Sequence, residues 1–175
     1  LYPDYVIIAE STDGRLNIGQ RGRAEIQIES YGRSCHSSNP EEGSNAIYAM
    51  IEAIGRIDSM PLHSHPLLGD GIMALTDIIS LPYPGMSVIP SRAKATYDRR
   101  TLPGETGDGI AAEISEALSG ISAKASIAYG TTTTYSGLTL SAPRFFPAWV
   151  FDEDCNLVSL ASRGLKEAGL FKGLG

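Results

Sequence analysis

Between residues 24 and 30 the chain alternates with period two, Ala24, Ile26 and Ile28 set against Glu25, Gln27 and Glu29. That is the pattern of a strand with one wet face. Ile47, Met50, Ile51 and Ile54 then recur at helical spacing behind Ser44 or Asn45 as cap, predicting an amphipathic helix. Ile72 to Leu81 and residues 92–98 read as strands on either side of the turn-rich Leu81-Pro82-Tyr83-Pro84-Gly85, with Pro90 marking the entry to the second. Ile110, Ile114, Ala117, Leu118 and Ile121 form a second helical stripe capped by Thr106, and Ala123, Ala125, Ile127 and Tyr129 alternate as a last strand. The resulting order β-α-β-β-α-β predicts an α+β, ferredoxin-like fold, an antiparallel four-stranded sheet with both helices on one face.

The flanks have a different character. Residues 5–9, Tyr-Val-Ile-Ile-Ala, form a continuous apolar run, which predicts a strand buried on both faces with Glu10 at its end. Residues 131–134 read as a strand or loop extension. Beyond residue 136 an extended stretch around Phe145-Phe146-Pro147-Ala148-Trp149 leads to a helix whose Leu157, Leu160, Ala161 and Leu165 suit packing on another body. The expected organisation is therefore a fragment of a neighbouring domain over residues 1–14, a central domain over 15–135 and a return segment over 136–175. Both ends read as parts of something larger.

The 175 residues suffice for one medium domain with flanking pieces. An apolar fraction of 42% with 19% charged residues is that of a folded globular chain, not a disordered one. The net charge of -6 argues against a nucleic-acid or anionic-membrane partner and for small-molecule or protein ones. No apolar run approaches the roughly 18 residues of a membrane span. Cys35 and Cys155 lie far apart without CxxC spacing, which fits reduced thiols and a cytoplasmic location.

The chemistry concentrates in one stretch, Gly32-Arg33-Ser34-Cys35-His36-Ser37-Ser38-Asn39-Pro40-Glu41-Glu42-Gly43-Ser44-Asn45-Ala46-Ile47. A Gly, a His among small residues, then Pro, Gly and Asn-Ala-Ile opening a helix resembles the lid signature of the dinuclear-zinc amidohydrolases and peptidases that include acetylornithine deacetylase, succinyl-diaminopimelate desuccinylase and carboxypeptidase G. Two further matches follow in the family's order. Ala9-Glu10-Ser11-Thr12 resembles its metal-ligand strand end, and residues 88–100, from Val88-Ile89-Pro90 to Asp98-Arg99-Arg100, resemble its lid strand. Residues 19–23, Gly-Gln-Arg-Gly-Arg, resemble a subgroup of uncharacterised amidohydrolases.

The resemblance implies a parent enzyme that hydrolyses amide bonds of N-acyl amino acids or small peptides with water activated by two zinc ions, cobalt or manganese being possible substitutes. It implies a lid that pairs with a second copy through an edge strand and a helix. Glu10 would be a metal ligand, a turn or cap residue being the alternative. His36 would reach the partner subunit's active site and hydrogen-bond the oxyanion, the alternative being an exposed loop histidine. Arg100 would bind a substrate carboxylate, with Arg99 its competitor on the opposite face of the strand. The sequence departs from the family at Ser87, where Asn is common.

Other candidates read as structural. His63-Ser64-His65 lies among Pro61, Pro66 and Gly69, hence in a loop, and Glu41-Glu42 reads as negative charge near a helix start. The family's remaining ligands and its general base find no counterpart at suitable positions, and one carboxylate cannot hold two metal ions. The chain alone is therefore expected to be inactive. A second expectation from a different class is a free-standing ferredoxin-like module that self-associates or binds a ligand.

Overall fold

The computed structural model describes residues 2–175. Its centre is β1, Arg23–Tyr31, in which Ala24, Ile26, Ile28 and Ser30 are buried and the intervening residues only partly so. β2 runs over Ile72–Leu81 and β3 over Arg92–Arg100, close to the spans the alternation predicts. β4, Ala123–Ile127, completes a sheet in the order β4-β1-β3-β2, every neighbouring pair antiparallel. A further two-residue strand, Phe145–Phe146, pairs with the start of β1 beyond the end of β4.

Two helices cover one face of this sheet. α1, Ala46–Asp58, starts where the Asn45 side chain accepts the Ile47 amide at 2.9 Å. It buries Ala46, Met50, Ala53 and Ile57. α2, Gly107–Ala117, starts where the Thr106 hydroxyl accepts the Gly109 amide at 3.1 Å, and it buries Ile110 and Ile114. These residues form one core with Ala24, Ile26 and Ile28 of β1 and Ala93, Ala95 and Tyr97 of β3. Burying apolar side chains of this size contributes about 1.5–3 kcal/mol each for the largest. The predicted α1 stripe is corrected at one position: Ile51 is 58% exposed, and the small Ala53 takes the inward place, letting helix and sheet approach closely.

β2 carries a bulge. The register passes from Leu75 opposite Tyr97 to Asp77 opposite Thr96, with the Thr76 hydroxyl donating to the Thr96 carbonyl at 3.0 Å. Leu75 and Ile78, three positions apart, would point to opposite faces of a regular strand. The extra residue puts both on the helix side, opposite Tyr97 and Ala95. They nevertheless remain 39% and 50% exposed, because β2 is an edge strand at the margin of the helix layer.

The structure corrects the sequence reading of these regions in two places. Residues 5–9 pair with no strand among the described residues, and Val6, Ile7 and Ile8 are two-thirds exposed or more. A strand is a pairing property, and among the described residues no second strand meets this run. Tyr129 does not continue β4. It opens β5, Tyr129–Thr133, which forms an exposed hairpin with β6, Thr139–Pro143. The final helix α3, Asn156–Glu167, buries only Val158 against this chain and leaves Leu160 46% exposed, in keeping with a stripe that suits packing on another body. The C-terminal flank folds back on the start of the central domain, where Gly19–Gln20 pairs with Trp149–Val150 and Leu16 bridges Leu174, and it touches the N-terminal flank where the Lys172 amide donates to the Gly14 carbonyl at 3.0 Å. No helix among the described residues is long and apolar enough to cross a membrane.

Candidate functional site

The loop from Gly32 to Asn45 doubles back on itself. Arg33 and Ser44 exchange both backbone hydrogen bonds at 2.9 Å. Gly32 has to be glycine here, because a Cβ would lie 2.1 Å from the Ser44 carbonyl oxygen. The loop is then stitched to the segment that enters β3. The Ser37 amide donates to the Ser87 carbonyl at 2.9 Å, the Ile89 amide to the Cys35 carbonyl at 2.9 Å, and the Ser34 hydroxyl to the Ile89 carbonyl at 2.8 Å. His36 is bridged to Val88 and exposed. Its Nδ1 accepts the Ser38 amide at 3.2 Å and lies 2.8 Å from the Ser38 hydroxyl. Its Nε2 makes no hydrogen bond among the described residues. Signature residues therefore do two separate jobs: glycines and backbone pairs shape the loop, and one imidazole is left pointing to solvent.

The opposite end of the sheet carries the arginines. Arg99 is 2% exposed and pairs with Glu105 and, at 3.0 Å, with Glu113. Glu105 also accepts the Leu102 amide at 2.8 Å, so this cluster ties the end of β3 to the start of α2. Arg100 lies on the other face with its side chain half exposed, its Nε 3.0 Å from Asp98. Between the two candidates the fold thus buries Arg99 as an ion-pair anchor and leaves Arg100 accessible. Sequence reasoning missed the partners Glu105 and Glu113; the signal was the burial that alternation assigns to one of two adjacent arginines.

His36 and Arg100 are not brought together. Arg92 to Arg100 is eight residue steps of strand at about 3.3 Å each, roughly 26 Å, and His36 sits beyond the Arg92 end against Val88. Glu10 is exposed, and among the described residues no group of three His, Cys, Asp or Glu side chains could hold a metal ion. A dinuclear zinc centre therefore does not fit the residues present. Ser64–His65 lies not in a plain loop but in a two-residue hairpin with Gly69–Asp70, and there His65 Nδ1 accepts the Leu67 and Leu68 amides of the turn at 3.2 and 3.3 Å. Glu41 and Glu42 are exposed in the single turn Pro40–Glu42 that precedes α1. Both cysteines are free and partly buried.

The uncovered sheet face is a ladder of ion pairs. Glu29 meets Lys94 at 2.7 Å and Arg92 at 2.8 Å, and chiefly the Lys94 hydrogen bond, aided by Arg92 and Tyr31, holds its carboxyl down to about 2. Arg144 and Arg23 flank Glu25, and Arg23 also reaches Asp98, which keeps the Arg23 guanidinium above its ordinary value. On the buried face, desolvation first and then the Asp58 hydrogen bond at 3.0 Å push the Tyr97 phenol up.

The sequence pattern of the family described as Peptidase dimerisation domain matches residues 18–125. YgeY of Escherichia coli, an uncharacterised protein, is 33% identical over 156 residues, covering 87% of this chain and 38% of that protein. Succinyl-diaminopimelate desuccinylase of Paracoccus denitrificans is 28% identical over 134 residues, 73% of this chain and 34% of the enzyme. Among solved structures, aminopeptidase PepT of Bacillus cereus matches with a TM-score of 0.65 at 16% identity, over 95% of this chain and 40% of that one. At that identity the likeness is one of fold. The chain spans less than two fifths of the length of these curated relatives.

Proposed function

We propose that this chain, which belongs to the peptidase dimerisation domain family, is the ferredoxin-like lid of a longer metal-dependent hydrolase that cleaves the amide bonds of N-acyl amino acids or small peptides. The lid occupies residues 15–135, and residues 1–14 and 136–175 belong to the catalytic domain. Strand order β4-β1-β3-β2 with both helices packed on one core supports the ferredoxin-like reading. Named relatives that are deacylases support the chemistry. The exposed apolar run at residues 5–9 supports a docking role for the flank.

The observation that carries the proposal is the separation of His36 from Arg100 by the length of β3. One lid cannot offer both to a substrate a few ångströms across. Two copies can. β2 presents an unpaired edge with Ile72, Leu75, Ile78 and Ile79 exposed, and Tyr48 and Ile51 of α1 extend the apolar surface. Joining two β2 edges antiparallel about a two-fold axis reverses the strands of the second sheet. The partner's His36 then comes to the same end of the continuous sheet as Arg100. In that homodimer Arg100 binds a substrate carboxylate through its free guanidinium nitrogens, and the partner's His36 donates to the oxygen that becomes negative when the carbonyl is attacked. Glu10 reads as one metal ligand, zinc being the ion its relatives' chemistry implies. Since the metal centre does not fit this chain's residues alone, no step is derived through it. The protein acts in the cytoplasm on small molecules, without nucleic acid or membrane.

The test is hydrolysis of a panel of N-acyl amino acids and short peptides by the full-length gene product with added zinc, cobalt or manganese. Loss of an oxyanion donor costs about 10²–10³ in kcat, and that is the effect expected of His36→Ala, while Arg100→Ala raises KM. Full activity in both variants would refute the assignment, and metal-dependent turnover by the 175-residue chain itself would show that the ligands lie within it.

A further inference from the structure

We infer that Ser38 is a positioning residue for His36: its main-chain amide fixes the neutral imidazole as the Nε2–H tautomer, so that the ring presents a proton donor, not an acceptor, to whatever it faces. The inference rests on the oxyanion reading of His36 for its use, but not for its existence.

One donor in this turn has no choice of role. A backbone amide nitrogen can only donate, and that of Ser38 points at His36 Nδ1 from 3.2 Å. Nδ1 must then offer its lone pair, and in a neutral ring the single proton goes to Nε2. The Ser38 hydroxyl stands 2.8 Å from the same nitrogen and 3.1 Å from the Asn39 side-chain oxygen, so its one proton is divided between two acceptors. A rival arrangement exists on the same atoms. Nδ1–H donates to the Ser38 hydroxyl, which donates on to Asn39 Oδ1. That chain sets two N–H groups against each other at 3.2 Å, which the first arrangement avoids. The turn that makes the contact is itself held, with the Ser37 amide on the Ser87 carbonyl at 2.9 Å and the Asn39 amide on the His36 carbonyl at 3.0 Å. The ring is therefore aimed by backbone that the loop signature builds, and Nε2 faces outward without a partner among the described residues.

Long-range proton–nitrogen correlation spectra of the ¹⁵N-histidine-labelled chain, in alkaline buffer, read the tautomer directly. His36→Gln assigns the signal, and His65, whose Nδ1 accepts two amides, serves as an internal reference. The expected result is a single Nε2–H form at His36, unchanged in Ser38→Ala because the amide remains, and converted to a mixture in Ser38→Pro, which lacks it. An Nδ1–H form in the parent chain, or a tautomer change in Ser38→Ala, overturns the proposal in favour of the hydroxyl chain. Should Ser38→Pro fail to fold, the parent chain and Ser38→Ala still decide. An Nε2–H ring combined with full hydrolysis by His36→Ala would leave the positioning role standing and remove the oxyanion role.

Discussion

Replacing Glu105 by Ala is expected to destabilise the fold more than any other single carboxylate change. Arg99 is 2% exposed and its two partners are unequal, Glu105 at 13% side-chain exposure and Glu113 at 33%. Removing one member of a buried pair costs about 3–5 kcal/mol, mostly because the other charge stays buried. Glu113 remains and softens that loss. The amide of Leu102, a residue 4% exposed, simultaneously loses its acceptor, which costs about 1–3 kcal/mol. We expect a net loss of about 3–4 kcal/mol, or a fall of roughly 6–15 °C in Tm for a chain of this size. Glu105→Gln keeps an acceptor for Leu102 and should lose about half as much. Glu113→Ala, at the solvent edge, should cost on the order of 1 kcal/mol. Thermal melts followed by circular dichroism, with urea titrations to check the slope, make the comparison. A Glu105→Ala loss below about 1 kcal/mol, or equal losses for Glu105 and Glu113, would show that Arg99 is not held as described.

Glu29 carries the pH dependence. Its carboxyl is lowered from an ordinary 4.5 to about 2, so its contribution is fully present above pH about 4.5 and is lost as pH falls from there toward 2. With Lys94 and Arg92 partly exposed the effect is on the order of 1 kcal/mol, and the stability curve of Glu29→Gln should be flatter in that window than that of the parent; parallel curves would remove Glu29 as the cause. Ile78→Asp places a charge on the β2 edge at a site already 50% exposed, so the fold should persist while the proposed dimer dissociates. Light scattering coupled to size exclusion reads the outcome, and a parent chain that is monomeric at every concentration would contradict edge pairing.

Local patterns carried the elements of the sheet and helices because each is written in neighbouring residues. The alternation around Ile26 is a period of two and the recurrence from Ile110 to Leu118 a period near four, and both caps, Asn45 and Thr106, stand where the chain must satisfy the first free amides. The hairpin of β5 and β6 was partly written too, in the threonine run and in Gly137 with its positive φ of 82°, but the alternation through Tyr129 concealed the break at Ala128. Residues 5–9 show the converse. Their composition describes a buried strand, but burial needs a layer on each side, and the described residues place none there.

For the candidate site, sequence alone determined the loop signature, the identity of His36 and the rule that Arg99 and Arg100 face opposite ways, because these follow from residue type and the strand's period of two. Only the tertiary structure decided which arginine is buried, since that depends on α2 bringing Glu113 alongside β3. It alone decided that His36 and Arg100 stand at opposite ends of the sheet, and that His36 offers Nε2 outward. Those facts are distances between residues far apart in the chain, set by how strands pair and helices dock, and no local pattern encodes them.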